Sequence, residues 1–177
     1  MTPRISPPLL PVILLLGICL SSPVSAQEHR DTAHAGPAMN FHQINPRLAT
    51  GGHFADDGIA ALAKQGVTVV IDLRDEPPED QEKRLADAGI RWINVPVVWK
   101  APRREDFDAF SRFMSEYADE NIFVQCQANY RASAMTYAYR VSQAGVPEPE
   151  ARKDLEAIWT PEGTWKAFID EILDDTG

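Results

Sequence analysis

Cys126 and Arg131, separated by Gln127, Ala128, Asn129 and Tyr130, are of a kind and spacing that could do chemistry together. The run Ile122-Phe123-Val124 before them predicts a short buried strand. The stretch from about Ala132 to Gln143 predicts a helix closed by Gly145. A curl between strand end and helix start turns successive backbone N–H groups inward and makes an anion nest. The helix N-terminus adds unpaired N–H groups and partial positive charge. Helix end and guanidinium both favour the thiolate form of Cys126, which is the nucleophilic form. Arg131 offers a planar fork suited to gripping two oxygens of a phosphoryl group. Asn129 sits mid-loop, where asparagine tolerates a left-handed backbone. Ser133, one turn into the helix, is expected to hydrogen-bond the sulfur and help it leave. The predicted site is therefore Cys126 and Arg131, with Gln127, Ala128, Asn129, Tyr130 and Ser133 around the anion. On cysteine count alone, a buried Cys126 acting as a small hydrophobe is the alternative.

Hydrolysis of a phosphate ester also calls for a proton donor to the leaving oxygen. Asp75 and Glu76 follow a predicted strand end, and Asp75 is the candidate catalytic acid. Asp106 is a second candidate, but it falls in the first turn of a predicted helix, where the dipole favours it. A solvated surface acid is the alternative for each. Trp99, Lys100 and Tyr130 are candidates for the pocket rim, against simple packing. His29, His34, His42 and His53 show no metal-ligand spacing, so no metal is expected. There is no serine nucleophile elbow and no Walker-type glycine loop.

These residues need a frame. Ile44–Thr50 predicts a strand ending at Gly51-Gly52, a turn or close-approach site. A helix follows Asp56-Asp57, carries Ile59, Leu62 and Ala63 on one face, and stops at Gly66. Val67–Leu73 is a continuous β-branched run of the kind buried on both faces. Residues 80–88 predict a second helix, and Arg91–Val97 a strand. A long helix from Pro102 to about Glu120 has an apolar stripe of Phe107, Phe110, Phe113, Met114 and Tyr117. Helices over about 148–158 and 161–173 complete the chain. Alternating strands and helices predict an α/β domain with a mainly parallel central sheet flanked by helices, its ligand site at the carboxyl ends of the strands.

The chain has 177 residues, a formal net charge of −9 and a pI of about 4.9. An acidic balance argues against nucleic acid or an anionic membrane as partner, since both select basic patches. Arg4, the apolar run Leu9–Leu20 and the small residues before Ala26 predict a cleaved signal peptide over 1–26, hence a periplasmic or secreted protein. The apolar run is short for a membrane span. Residues 27–40 are polar and read as a disordered tail, leaving a domain over 41–177. Cleavage would remove one of the two cysteines and leave Cys126 without a disulfide partner.

The segment Gln125-Cys-Gln-Ala-Asn-Tyr-Arg131 resembles the signature loop of the cysteine-dependent protein tyrosine phosphatase superfamily. Most members have five residues between Cys and Arg; the four found here are similar to the bacterial beta-lactamase-hydrolase-like phosphatases. Leu48-Ala-Thr-Gly-Gly52, Gly66–Arg74 and Val95-Pro-Val97 resemble that family's first three strands, and Ile158-Trp-Thr-Pro161 with Trp165 its C-terminal helices. The resemblance implies a protein tyrosine phosphatase-like fold. It also implies phosphomonoester hydrolysis through a cysteinyl-phosphate, with no cofactor and a phosphorylated protein or small molecule as substrate. Three positions differ from the pattern: Gln125 replaces the usual His, Asn129 the usual Gly, and Ala132 displaces the usual hydroxyl to Ser133. The loop after Val97, where many relatives carry the acid Asp, has no carboxylate before Glu105 and Asp106. A rhodanese-like sulfurtransferase and a non-catalytic phosphate- or phosphoprotein-binding module are the alternatives.

Overall fold

A computed structural model describes Met1 and residues 36–175. All described secondary structure lies in the compact unit Asp31–Gly177. The predicted signal peptide, Met1 apart, falls outside the described residues, as does the tail as far as residue 35. Residues 36–40, read from sequence as part of a disordered tail, are instead packed on the domain. Ala38 is buried and pairs with Phe54 as an isolated bridge.

The elements are β1 His42–Asn45, β2 Leu48–Gly51, α1 Gly58–Lys64, β3 Val69–Asp72, α2 Gln81–Asp87, β4 Arg91–Asn94, α3 Arg104–Glu116, β5 Ile122–Gln125, α4 Tyr130–Ser142, α5 Glu148–Glu156 and α6 Gly163–Asp174. The sheet order is β1-β2-β5-β3-β4. The pairs β2–β5, β5–β3 and β3–β4 are parallel, while β1 runs antiparallel on the edge. The sheet is thus mixed rather than wholly parallel. The predicted strand 44–50 resolves into a hairpin, because Pro46, whose nitrogen cannot donate to a ladder, breaks the run.

The β-branched runs sort their side chains with period 2. Val69, Ile71 and Leu73 of the β3 segment, with Ile122 and Val124 of β5, face one core, which also takes the apolar stripes of α3, α4 and α6. Val70 and Phe123 face the other core, beneath Ile59 and Leu62 of α1 and Leu85 of α2. Burial on both faces brings the central strands β3 and β5 into register, with Asp72 opposite Gln125 at their carboxyl ends. That pair lies directly below the loop that begins at Cys126.

Candidate active site

Helix α4 starts at Tyr130, two residues earlier than read from sequence, and Asn129 is its N-cap with φ +69°. The left-handed conformation expected at Asn129 is present, and it lets the chain reverse from β5 into the helix within four residues. The loop's carbonyls are tied outward. The Gln127 carbonyl accepts from the His53 backbone N–H at 3.0 Å and from its Nδ1 at 3.1 Å. The Ala128 carbonyl accepts from Asn40 Nδ2 at 3.1 Å, and Asn129 Nδ2 donates back to the Asn40 carbonyl at 2.6 Å. Gly52 closes the same seam: a Cβ there would sit 2.6 Å from the Gln127 carbonyl oxygen, so only glycine fits. Among the described residues, the N–H groups of Gln127, Ala128, Tyr130 and Arg131 have no backbone acceptor. Carbonyls out and N–H groups free is the arrangement of an anion nest.

A cavity of about 320 Å³ opens over this loop, lined by Trp99, Cys126, Gln127, Ala128, Tyr130 and Arg131. Cys126 is 1% exposed but forms part of that lining, so its sulfur lies at the floor of a pocket and not within sealed core. Arg131 spans the wall. Its Nη1 donates to Asp75 Oδ1 at 2.7 Å and to the Val97 carbonyl at 2.5 Å. Among the described residues, its Nε and Nη2 make no protein hydrogen bond and can serve an incoming oxyanion. The Arg131 guanidinium holds the Asp75 carboxyl below the ordinary carboxylate range, chiefly through that hydrogen bond, so Asp75 is an ionised acceptor.

The structure brings the expected site residues Cys126, Arg131, Gln127, Ala128 and Tyr130 together in one cavity lining, with Trp99 beside them. Asp75 reaches the site through Arg131. Two expectations are corrected. The Ser133 hydroxyl is not hydrogen-bonded to the sulfur: it donates to the Tyr130 carbonyl at 3.1 Å and accepts from Trp159 Nε1 at 3.2 Å. The Asn129 side chain turns away to Asn40, so its part in the site is its backbone. Asp106 is tied into the start of α3, accepting from the Arg103 backbone N–H at 3.1 Å and from Arg103 Nη2 at 2.6 Å. Lys100 is exposed and outside the lining.

Gln125, in the place of the usual His, is not idle. It is fully buried, and its Nε2 donates to the Gly52 carbonyl at 3.3 Å. Its Oε1 accepts from Gln81 Nε2 at 2.7 Å. Gln81 Nε2 also donates to Asp72 Oδ2 at 2.7 Å, while its Oε1 accepts from Arg74. Arg74 and Asp72 form a buried ion pair, Nη2 to Oδ2 2.7 Å. Sequence spacing gave no sign of Gln81, Asn40 or His53, because each reaches the loop from another element. A glutamine opening α2 beside the strand-end pair Asp72/Arg74 was the nearest thing to a signal.

The fold and the thiol–guanidinium loop define a cysteine-based phosphatase of the dual-specificity and protein tyrosine phosphatase type. The chain belongs to the family described as "DSP-PTPase phosphatase fused to NAD+ Kinase", which it matches over residues 26–166. Among solved structures it is similar to a DUF442 candidate phosphatase of Shewanella putrefaciens CN-32: 30% identity, 80% of this chain and 93% of that one, TM-score 0.71. TpbA of P. aeruginosa, solved in complex with pTyr, shares the fold at 16% identity, 83% and 98% coverage and TM-score 0.62. So does the catalytic core of the S. cerevisiae PP-IP phosphatase SIW14, at 14% identity, 76% and 85% coverage and TM-score 0.65. No curated protein matches the chain.

Proposed function

We propose that the protein hydrolyses phosphomonoesters in two steps, with Cys126 as nucleophile and Arg131 as phosphate clamp. The Cys126 thiolate attacks phosphorus, the P–O ester bond breaks, and the leaving oxygen takes a proton. Water then attacks the cysteinyl-phosphate, the P–S bond breaks, and inorganic phosphate leaves with the thiolate restored. The loop N–H groups and the two unengaged nitrogens of Arg131 meet the equatorial oxygens throughout, where stabilisation of the developing charge is worth most. The observation that carries this reading is the position of Cys126 on the floor of a cavity whose wall is Arg131 and whose rim is the start of α4. Asp75 holds the guanidinium through Nη1. Its ionised carboxylate suits the role of positioning Arg131 better than that of donating a proton.

The test is a phosphatase assay of the purified domain with Cys126→Ser as control. Turnover should fall roughly 10⁴-fold or more in the variant, while vanadate or phosphate still binds. Equal rates in both proteins would remove Cys126 from the chemistry, and binding without turnover in the wild type would leave a phosphate-binding module. The leader-like residues 1–26 point to an exported enzyme with an ordered domain from Gly36 onward; cell fractionation of the full chain tests that separately.

A further inference from the structure

Four buried side chains, Asp72, Arg74, Gln81 and Gln125, lie beneath the nucleophile and outside the cavity lining. Their polarity runs one way. The Asp72 carboxylate can only accept and the Arg74 guanidinium can only donate. Gln81, the first residue of α2, lies against both: its Nε2 donates to Asp72 Oδ2 at 2.7 Å and its Oε1 accepts from Arg74. These two partners settle which way its amide faces. The second Nε2 hydrogen of Gln81 goes to Gln125 Oε1 at 2.7 Å, where Arg74 Nη2 also arrives at 3.5 Å. Gln125 must then turn its own Nε2 to the Gly52 carbonyl, 3.3 Å away, which can only accept. A flip of either amide would set donor against donor or acceptor against acceptor in a buried place. A satisfied buried network of this kind holds a single arrangement.

The far end of this relay is the seam that shapes the loop. Gly52 packs against the Gln127 carbonyl and pairs with Ala128 as an isolated bridge. Cys126 donates its backbone N–H to the Gly51 carbonyl at 3.1 Å, and the Gln127 carbonyl is held by the His53 N–H at 3.0 Å. The backbone on both sides of the sulfur is thus set by the end of β2, and the end of β2 is held by Gln125. Arg131 is set from elsewhere, by Asp75 and the Val97 carbonyl. Nucleophile and phosphate clamp therefore have separate anchors.

We propose that Gln81 and Gln125 are positioning residues, an amide relay that holds Cys126 in line with phosphorus while phosphate affinity is left to Arg131 and the start of α4. This rests on the phosphatase reading of Cys126 and Arg131. The relay is neutral: Asp72 and Arg74 form an ion pair, and the two amides that join them to Gly52 do not titrate.

The test compares kcat for p-nitrophenyl phosphate with the inhibition constant of inorganic phosphate, in the full chain, at a temperature where circular dichroism shows each variant folded. In Gln81→Leu, kcat should fall roughly 10- to 100-fold, the scale of a misplacement of about 1 Å, while the inhibition constant moves less than about 3-fold. Gln81→Ala, which admits water in place of the amide, should show the same split and serves if the leucine variant does not fold. Gln125→Glu gives a second readout. Its carboxyl can donate to the Gly52 carbonyl only when protonated, so the ratio of its kcat to that of wild type should rise as the pH falls from about 8 to about 5, whereas the ratio for Gln125→Leu should stay flat. Wild-type kcat in the folded Gln81 variants would overturn the relay and leave the phosphatase reading standing. Parallel losses of kcat and phosphate affinity would do the same, since they mark a loop loosened as a whole. A flat ratio for Gln125→Glu would remove Gln125 from the relay and end the proposal. Absence of turnover in the wild type would overturn the phosphatase reading and the relay with it.

Discussion

Arg131 and Asp75, 56 residues apart in the chain, share a 2.7 Å hydrogen bond on the guanidinium that walls the cavity. The carboxylate occupies Nη1 and puts its negative charge beside the guanidinium that serves the phosphoryl site. It therefore positions Arg131 and also opposes an incoming dianion. Asp75→Asn keeps an acceptor and removes the charge, so inorganic phosphate should bind roughly 2- to 5-fold tighter, the range of a partly exposed pair. Turnover of an aryl phosphate should change less than tenfold. A loss of about 10²–10⁴ in kcat would instead make Asp75 the proton donor. Stability carries the same signature. The Asp75 carboxyl is lowered in the fold, so its contribution is full at pH 6 and is lost as the pH falls below about 4. The urea stability difference between wild type and Asp75→Asn should shrink over that window.

The polar group beneath the nucleophile gives a second prediction. Gln81→Leu strips a donor from Asp72 Oδ2 and Gln125 Oε1, and an acceptor from Arg74, all buried. Asp72, Arg74 and Gln125 keep bonds to one another, so the cost is that of lost buried hydrogen bonds to charged groups, about 1.5–3 kcal/mol, and Tm should fall by several degrees. Gln125→Leu should cost a similar amount, and the double variant less than the two together, because the pair shares partners. Additive losses would mean that the two side chains act independently.

Asn129 tests the loop's backbone. At φ +69°, Asn129→Ala places a Cβ with no compensating bond in the left-handed region and should cost about 1–3 kcal/mol. Asn129→Gly loses the bond to Asn40 but not the conformation, and should be the milder change in both Tm and kcat. The reverse order would show that the amide contact, and not the backbone angle, holds the loop.

Away from the site, burial and the hydrogen bond to Glu148 push the Tyr137 hydroxyl up to about 12. A group whose acid dissociation is raised on folding stabilises the native state below its ordinary value and loses that contribution as the pH climbs through the raised one. Stability should therefore decline between about pH 10 and 12, and Tyr137→Phe should flatten that decline in urea titrations at alkaline pH.

The central strands were legible because Val69–Asp72 and Ile122–Gln125 are apolar runs needed on both faces of a sheet. Helix α1 was legible through Gly66, whose φ of +81° ends it where predicted. The hairpin β1–β2 was hidden because Ile44–Thr50 reads as one strand unless Pro46 is given its full weight. Cys126 and Arg131 announced themselves by spacing alone. Gln81 and Asn40 could not: they stand 44 and 89 residues from their partners Gln125 and Asn129, and only the topology joins them. The Ser133 hydroxyl is engaged by the Tyr130 carbonyl and by Trp159, a partner 26 residues away that spacing does not reveal.

Asn40 and Asn129 each bind the other's stretch of backbone, Asn129 Nδ2 to the Asn40 carbonyl and Asn40 Nδ2 to that of Ala128. Both stand in the left-handed region, at φ 47° and 69°. Neither can be exchanged without loosening the other's hold. In a lineage these two positions should drift in tandem, and an expression clone that begins after Asn40 would forfeit the latch that shapes its own pocket.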